Sequence, residues 1–300
     1  MELRDFFAAH PRVALAFSGG VDSSYLLYAA LQWAESVGVY YVRSVFQPQF
    51  EADDALRLAR ELGASVTVLR ADVLADARVA ANPADRCYTC KKIILSAIRA
   101  QAEQDGYDVL LDGTNASDDI ADRPGWKALQ EEGVLSPLRL CGLKKADVRR
   151  LSEKAGLFTA SKPAYACLAT RIPCGETITG EKLAAVEAAE SALFAIGFRD
   201  FRVRTPGGAA LVQVTADQTA AAHEKWDAIR GALSPYFTRV ELDAKERSKS
   251  LGKRFISTAA WVRPATCSPL RCSVSFPTEM PYWMSSMAPS AVSPSSRRRT

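Results

Sequence analysis

Residues 18–24 read Ser-Gly-Gly-Val-Asp-Ser-Ser, between an apolar run (VALAF, 13–17) and a stretch with helical spacing. A glycine-rich turn from strand to helix points backbone N–H groups at phosphate oxygens, and the helix dipole adds to the attraction. Gly19 and Gly20 let the backbone come close, while Ser18, Ser23 and Ser24 offer hydroxyl donors. An aspartate in an anion site makes sense when a cation lies between it and the phosphates, so Asp22 implies Mg²⁺. The loop has neither the lysine of GxxxxGK[ST] nor the GxGxxG spacing of dinucleotide folds.

Sulfur is the second chemical signal. The chain has seven cysteines: Cys87, Cys90, Cys141, Cys167, Cys174, Cys267 and Cys272. In a reducing compartment, clustered cysteines suggest metal binding or catalysis, and an isolated one such as Cys141 reads as a small buried hydrophobe. DRCYTCKK (85–92) holds a CxxC pair followed by Lys91 and Lys92, and Arg171 lies four residues after Cys167. Neighbouring cations favour the thiolate, the attacking and ligating form. CxxC with further cysteines also suits structural zinc, with Cys174 available as a fourth ligand.

These groups need a scaffold. Strands are expected at 13–17, 39–46, 65–73 and 107–113, and helices at 22–34, 52–64 and 91–106. Strand–helix alternation predicts an α/β fold with a parallel sheet, its ligands beyond the carboxyl ends of the strands. The loops 18–23, 47–50 and 112–119 should therefore converge. From about residue 179 the pattern becomes α+β: a helix at 181–198, strands at 201–205 and 210–216, a helix across 217–233 and a strand at 239–244. The expected organisation is a nucleotide domain at 1–178, a small α+β domain at 179–255, and a Ser/Pro-rich, disordered or atypical tail at 256–300.

With 300 residues, 48% hydrophobic and 24% charged, the chain reads as a globular protein of about two domains. A net charge of +4 does not suggest a nucleic-acid surface. No run approaches the roughly 18 apolar residues of a membrane span. The start of the chain does not read as a signal peptide, so a cytoplasmic location is expected.

SGGVDS, after an apolar strand and before a helix, resembles the pyrophosphatase loop of the PP-loop ATPases, which split ATP between its α and β phosphates and leave AMP on an acceptor oxygen. That resemblance implies ATP and Mg²⁺. DGTNASDD (112–119) fits the same cleft, with Asp112 to aid the metal and Gly113 and Thr114 to admit nucleotide; singly, each also reads as an ordinary Asx or Gly turn.

DRCYTCKK, GTNASDDIADRPGWKALQEEGVLSPL (113–138) and KPAYACLATRIPCGETIT (162–179) together resemble the LarE family, over roughly residues 10 to 250. Those ATP-dependent sulfurtransferases make the pincer nucleotide of nickel-dependent lactate racemase. The resemblance implies a nicotinate-derived mononucleotide substrate whose carboxylates are adenylated and converted to thiocarboxylates. It also implies a [4Fe–4S] cluster on Cys87, Cys90 and Cys167, with sacrifice of the Cys167 sulfur as the alternative. Cys174 departs from the family, where an aromatic is expected, as does Lys249, where glycine is expected.

Asp22, Cys167 and Glu131 are the candidate catalytic residues, with Glu132 an equal choice for the adenylation site. Arg171, Glu190, Arg202, Arg204 and Arg247 are the candidate substrate contacts; Arg202 and Arg204 alternate along a strand, a spacing that equally suits two solvated arginines, and the resemblance favours a clamp on the mononucleotide phosphate. Trp126 reads as a packing residue, and His10 and His223 have no catalytic support. A homo-oligomer is expected, with the sulfide donor undetermined. The rivals are a tRNA-thiolating PP-loop enzyme, an ammonia-using ligase, and an ATP-binding or metal-storage module without turnover.

Overall fold

The structure is a computed structural model that describes residues 1–119, 124–245 and 247. The expected tail at 256–300 and Lys249 lie outside the described residues. The described residues form one compact unit.

Four parallel strands make the first sheet: β1 (Arg12–Ala16), β2 (Ser36–Arg43), β3 (Val66–Arg70) and β4 (Leu110–Leu111), in the order β3-β2-β1-β4. Helices cover both faces of β1, which is why it reads as an unbroken apolar run. Val13 and Leu15 pack in one core with Leu26, Leu27 and Ala55, while Ala14 packs in another with Tyr40, Leu95 and Ile98. The α/β expectation holds. The chain winds from β1 out to β3 and returns to add β4 on the other side of β1, so the loops after β1 and β4 flank the switch point, where such sheets bind ligands.

Two elements near these loops differ from expectation. β4 is two residues long, and on its far edge Leu111 bridges in parallel to Leu135, with Asp112 N donating to Leu135 O (2.9 Å). The helix expected at 91–106 runs from Arg86 to Gln104, since the turn after Pro83 (Arg86 N to Pro83 O, 3.0 Å) leads directly into it. The CxxC pair is therefore helical, and Cys87 and Cys90, three apart, share a face.

A smaller sheet joins β5 (Arg202–Arg204), β6 (Ala210–Gln213) and β7 (Val240–Leu242), with β5–β6 antiparallel and β6–β7 parallel. It packs on the helix Gly180–Ile196 through Leu193, Val203, Val212 and Ile229. The helix expected across 217–233 is two, Thr219–Glu224 and Trp226–Leu233, broken at Lys225. Between the sheets, Phe46 after β2 packs with Leu168, Ile172, Ile178 and Leu183. The segment carrying Cys167 is thus clamped between the two halves of the chain.

Candidate active site

Close backbone packing shapes the phosphate loop. Gly19 has φ +74°, and a Cβ there would lie 2.5 Å from the Ala55 Cβ, so no side chain fits. Gly113, after β4, lies against the loop: its Cβ would stand 2.8 Å from Ser23 N. Ser23 Oγ accepts from Ser18 N at 3.3 Å, lies 3.0 Å from Ser18 Oγ and donates to Gly20 O at 3.1 Å, locking the turn. Ser18 is exposed, whereas Ser23 and Ser24 are buried, so Ser18 is the hydroxyl that faces solvent.

Asp22 opens the helix Val21–Trp33. Its Oδ2 receives Lys145 Nζ at 2.5 Å and its Oδ1 receives Asn115 Nδ2 at 3.4 Å. Burial pushes this carboxyl above its usual range, against the opposing pull of Lys145. An ammonium thus stands on the carboxylate that the sequence assigns to a divalent cation. Asp112 is more tightly committed. It accepts from Ser136 Oγ at 2.5 Å and from Thr114 N and Oγ1 at 3.2 and 2.5 Å, and so shapes the loop that carries Gly113. Of the three loops expected to converge, those after β1 and β4 touch. The loop after β2 turns to the sulfur side, where Leu168 N donates to Phe46 O at 2.9 Å.

Three thiols gather on that side around Arg86, whose side chain is buried. Arg86 Nη2 is 3.5 Å from Cys87 Sγ, Nη1 is 3.9 Å from Cys167 Sγ, and the guanidinium stands 5.4 Å from the centroid of the Phe46 ring. No carboxylate among the described residues pairs with it. Burial, followed by the charges of Cys167 and Cys87, pushes the Cys90 thiol up to about 12, although Arg86 opposes the shift. Among the described residues no group of three His, Cys, Asp or Glu side chains stands close enough to hold one ion.

Lys91 links the two chemistries. It follows Cys90 on the helix, and its Nζ lies 3.8 Å from Asp112 Oδ2. Beside the thiols is a groove of about 230 Å³ lined by Asn82, Arg86, Thr170, Ile172, Cys174 and Arg204. A larger hollow of about 550 Å³ lies along the helix Gln49–Glu61, but its lining residues, Asp53, Leu56, Arg57, Arg60 and Glu61, include none of these groups.

The predicted substrate contacts are dispersed. Arg171 forms a bidentate pair with Glu190 and donates to Ala166 O at 3.1 Å. Glu190 also accepts from Val203 N at 2.9 Å and from the Tyr165 hydroxyl. Arg202 donates to Phe201 O at 2.6 Å and Ala164 O at 2.7 Å, and is buried. Burial, with Arg171 close by, lowers its pKa to about 10. These three residues brace the Cys167 segment from inside. Arg204 alone of the strand pair is exposed and borders the groove, 3.4 Å from Thr170 O. Arg247 pairs with Asp200 at 2.9 Å. Glu131 accepts from the Tyr88 hydroxyl at 2.7 Å and Lys92 at 3.1 Å, and Glu132 pairs with the same lysine at 3.1 Å. Trp126 packs against the core near Leu95, and His10 against Phe6.

Sequence reasoning missed Arg86, Asn115, Ser136 and Lys145. Arg86 adjoins the CxxC pair and was legible as a cation beside sulfur. Lys145 is 123 residues from Asp22, with no local motif to mark it.

A parallel sheet with SGGVDS at its switch point defines an α/β protein of the PP-loop class. No protein-family model matches the chain. The pyridinium-3,5-bisthiocarboxylic acid mononucleotide synthase of Lactiplantibacillus plantarum is 37% identical over 195 residues, 64% of this chain and 71% of that protein. An uncharacterized protein of Synechocystis is 36% identical over 219 residues, 72% of this chain and 81% of its own length. One from Methanocaldococcus jannaschii is 26% identical over 219 residues, 73% and 84% of the two lengths. The chain belongs to the LarE family, that of the Lactiplantibacillus synthase. No helix among the described residues is long and apolar enough to cross a membrane.

Proposed function

We propose that this chain is an ATP-dependent sulfurtransferase of nickel-pincer cofactor biosynthesis, acting on a nicotinate-derived mononucleotide. The observation that supports the reading, beside membership of the family, is the join made by Lys91: it follows Cys90 on the helix and pairs at 3.8 Å with Asp112, next to the Gly113 that packs on the phosphate loop. A carboxylate oxygen of the substrate attacks the α-phosphorus of ATP, and the bond to the β-phosphate oxygen breaks, releasing pyrophosphate. Hydrosulfide then attacks the acyl carbon, the bond to the AMP oxygen breaks, and a thiocarboxylate, AMP and a proton remain.

In this scheme the backbone of Ser18–Ser24 binds the phosphates, and Gly113 lets the loop after β4 approach them. Asp22 would hold Mg²⁺, which neutralises the departing pyrophosphate. Cys87, Cys90 and Cys167 would hold the [4Fe–4S] cluster, which supplies a store of transferable sulfide. Arg86 sets a positive charge among the three sulfurs, and Arg204 offers a second cation at the mouth of the groove.

The test pairs composition with product. Anaerobically purified protein is expected to carry about four irons and four acid-labile sulfides per chain. Iron should fall in Cys87→Ala, Cys90→Ala and Cys167→Ala. With ATP, Mg²⁺, sulfide and the dicarboxylate mononucleotide, mass spectrometry should show oxygen replaced by sulfur. Turnover without iron, with the Cys167 side chain converted to dehydroalanine, would replace the cluster with sacrificial donation. Zinc in place of iron would make the thiols structural. Absence of pyrophosphate release would overturn the adenylating activity.

A further inference from the structure

The phosphate loop lacks a lysine of its own, yet a lysine reaches it. Lys145 Nζ stands 2.5 Å from Asp22 Oδ2, while its backbone N donates to Ser117 Oγ at 2.9 Å and so fixes the root of the side chain beside the loop after β4. The two side chains are 37% and 20% exposed, so the pair is reached by solvent and is not sealed in a core. One turn on, Arg149 is held away from Asp22 by its bonds to Ala160 O at 2.5 Å and Lys162 O at 3.0 Å. Of these two cations, Lys145 is the one on the carboxylate.

One carboxylate cannot serve an ammonium and a divalent cation equally, because the two positive charges repel each other and compete for the same oxygens. A lysine ammonium is a compact charge on a flexible four-carbon stem, able to leave one oxygen for another a few ångströms away. Oxygens of a triphosphate bound at Ser18–Ser24 would lie within that reach.

We propose that Lys145 is a tethered counter-ion of the phosphate loop. It neutralises Asp22 while the site is free of nucleotide. It yields the carboxylate to the divalent cation that arrives with the triphosphate, and carries its ammonium to the pyrophosphate oxygens. This supplies from a distant helix the charge that the lysine of a GxxxxGK[ST] loop supplies locally. The inference rests on reading the site as one for Mg²⁺ and ATP.

The test uses the full chain, Mn²⁺ followed by electron paramagnetic resonance, and inorganic pyrophosphate and AMP followed by calorimetry. Lys145→Ala is expected to bind free Mn²⁺ several-fold more tightly than wild type, because its competitor is gone. It should bind pyrophosphate with Mg²⁺ about tenfold more weakly, the loss of one charge-assisted hydrogen bond, with AMP affinity unchanged. Lys145→Arg should keep most of the pyrophosphate affinity. A structural role alone would not strengthen metal binding. Unchanged or weakened Mn²⁺ binding in Lys145→Ala, or unchanged pyrophosphate affinity, overturns the role of Lys145 and leaves the ATP reading standing. Failure of the wild type to bind either pyrophosphate or ATP overturns both.

Discussion

Arg171 and Glu190 meet in a bidentate pair, Nε to Oε1 at 2.8 Å and Nη2 to Oε2 at 3.1 Å, and their side chains are 1% and 2% exposed. Arg171 comes from the Cys167 segment and Glu190 from the helix beneath the smaller sheet, so the pair ties the sulfur-bearing loop to the second half of the chain. Breaking a buried pair leaves its partner charged and unsolvated. Glu190→Ala and Arg171→Met should each cost about 3–5 kcal/mol, read from urea unfolding midpoints. Losses below about 1 kcal/mol would show that the pair is not a clamp.

Arg86 should behave in the opposite way. It is buried with two sulfurs and a phenyl ring as partners and no carboxylate among the described residues to strand. Arg86→Met keeps most of the stem packed on Phe46 and removes a costly charge. Thermal unfolding of the metal-free protein should show a change within about 1 kcal/mol, or a gain. Iron and acid-labile sulfide retained after reconstitution should nevertheless fall, because the positive charge among the thiolates is gone. A large loss of stability would mean that Arg86 is a structural residue.

Gly113→Ala tests the junction of the two loops. The new Cβ would lie 2.8 Å from Ser23 N and 3.1 Å from Ser23 Cα, both backbone atoms that cannot swing aside. Separating the loops should cost about 1–3 kcal/mol and weaken nucleotide binding in calorimetry. Gly180→Ala is the control: nothing lies within 4 Å of its Cβ, and the change at the first residue of a helix should be neutral or stabilising by about 0.4–1 kcal/mol.

Glu51 predicts a pH effect. One of its oxygens, Oε1, is buried without a hydrogen-bond partner, and Lys162 sits on the other at 2.9 Å. Burial raises the carboxyl above its ordinary 4.5, more than Lys162 lowers it. The folded chain therefore binds this proton more tightly than the unfolded chain. The contribution to stability is full below the unfolded pKa and is lost as pH rises through the higher folded value. Lys162 keeps Asp54 at 2.9 Å in a Glu51→Gln variant. That variant should lose stability less steeply than wild type as pH rises above 4.5 in urea titrations; parallel slopes would contradict the assignment.

Local chemistry made the fold and half of the site legible in the sequence. The apolar run at 13–17, the glycine turn and the alternation of strands and helices specify a parallel sheet with a phosphate loop at a strand end, because each depends on residues a few positions apart. The spacing of Cys87 and Cys90 belongs to the same class. Arg202 and Arg204 show where such reasoning stops. Alternation puts both on one side of a strand, but packing of the Cys167 segment over Arg202 buries it among carbonyls and leaves Arg204 at the groove.

What the sequence determined by itself was the chemistry available: a glycine turn of backbone amides at a helix start, a carboxylate beside it, and three thiols. What only the tertiary structure decided was which groups stand together. Lys145 reaches Asp22 across 123 positions, Arg86 meets Cys167 across 81, and Lys91 binds the helix of thiols to Asp112. Such pairings depend on how helices settle against the sheet. That is fixed by core volume and by the need to partner buried charge, and neither leaves a periodic mark along the chain.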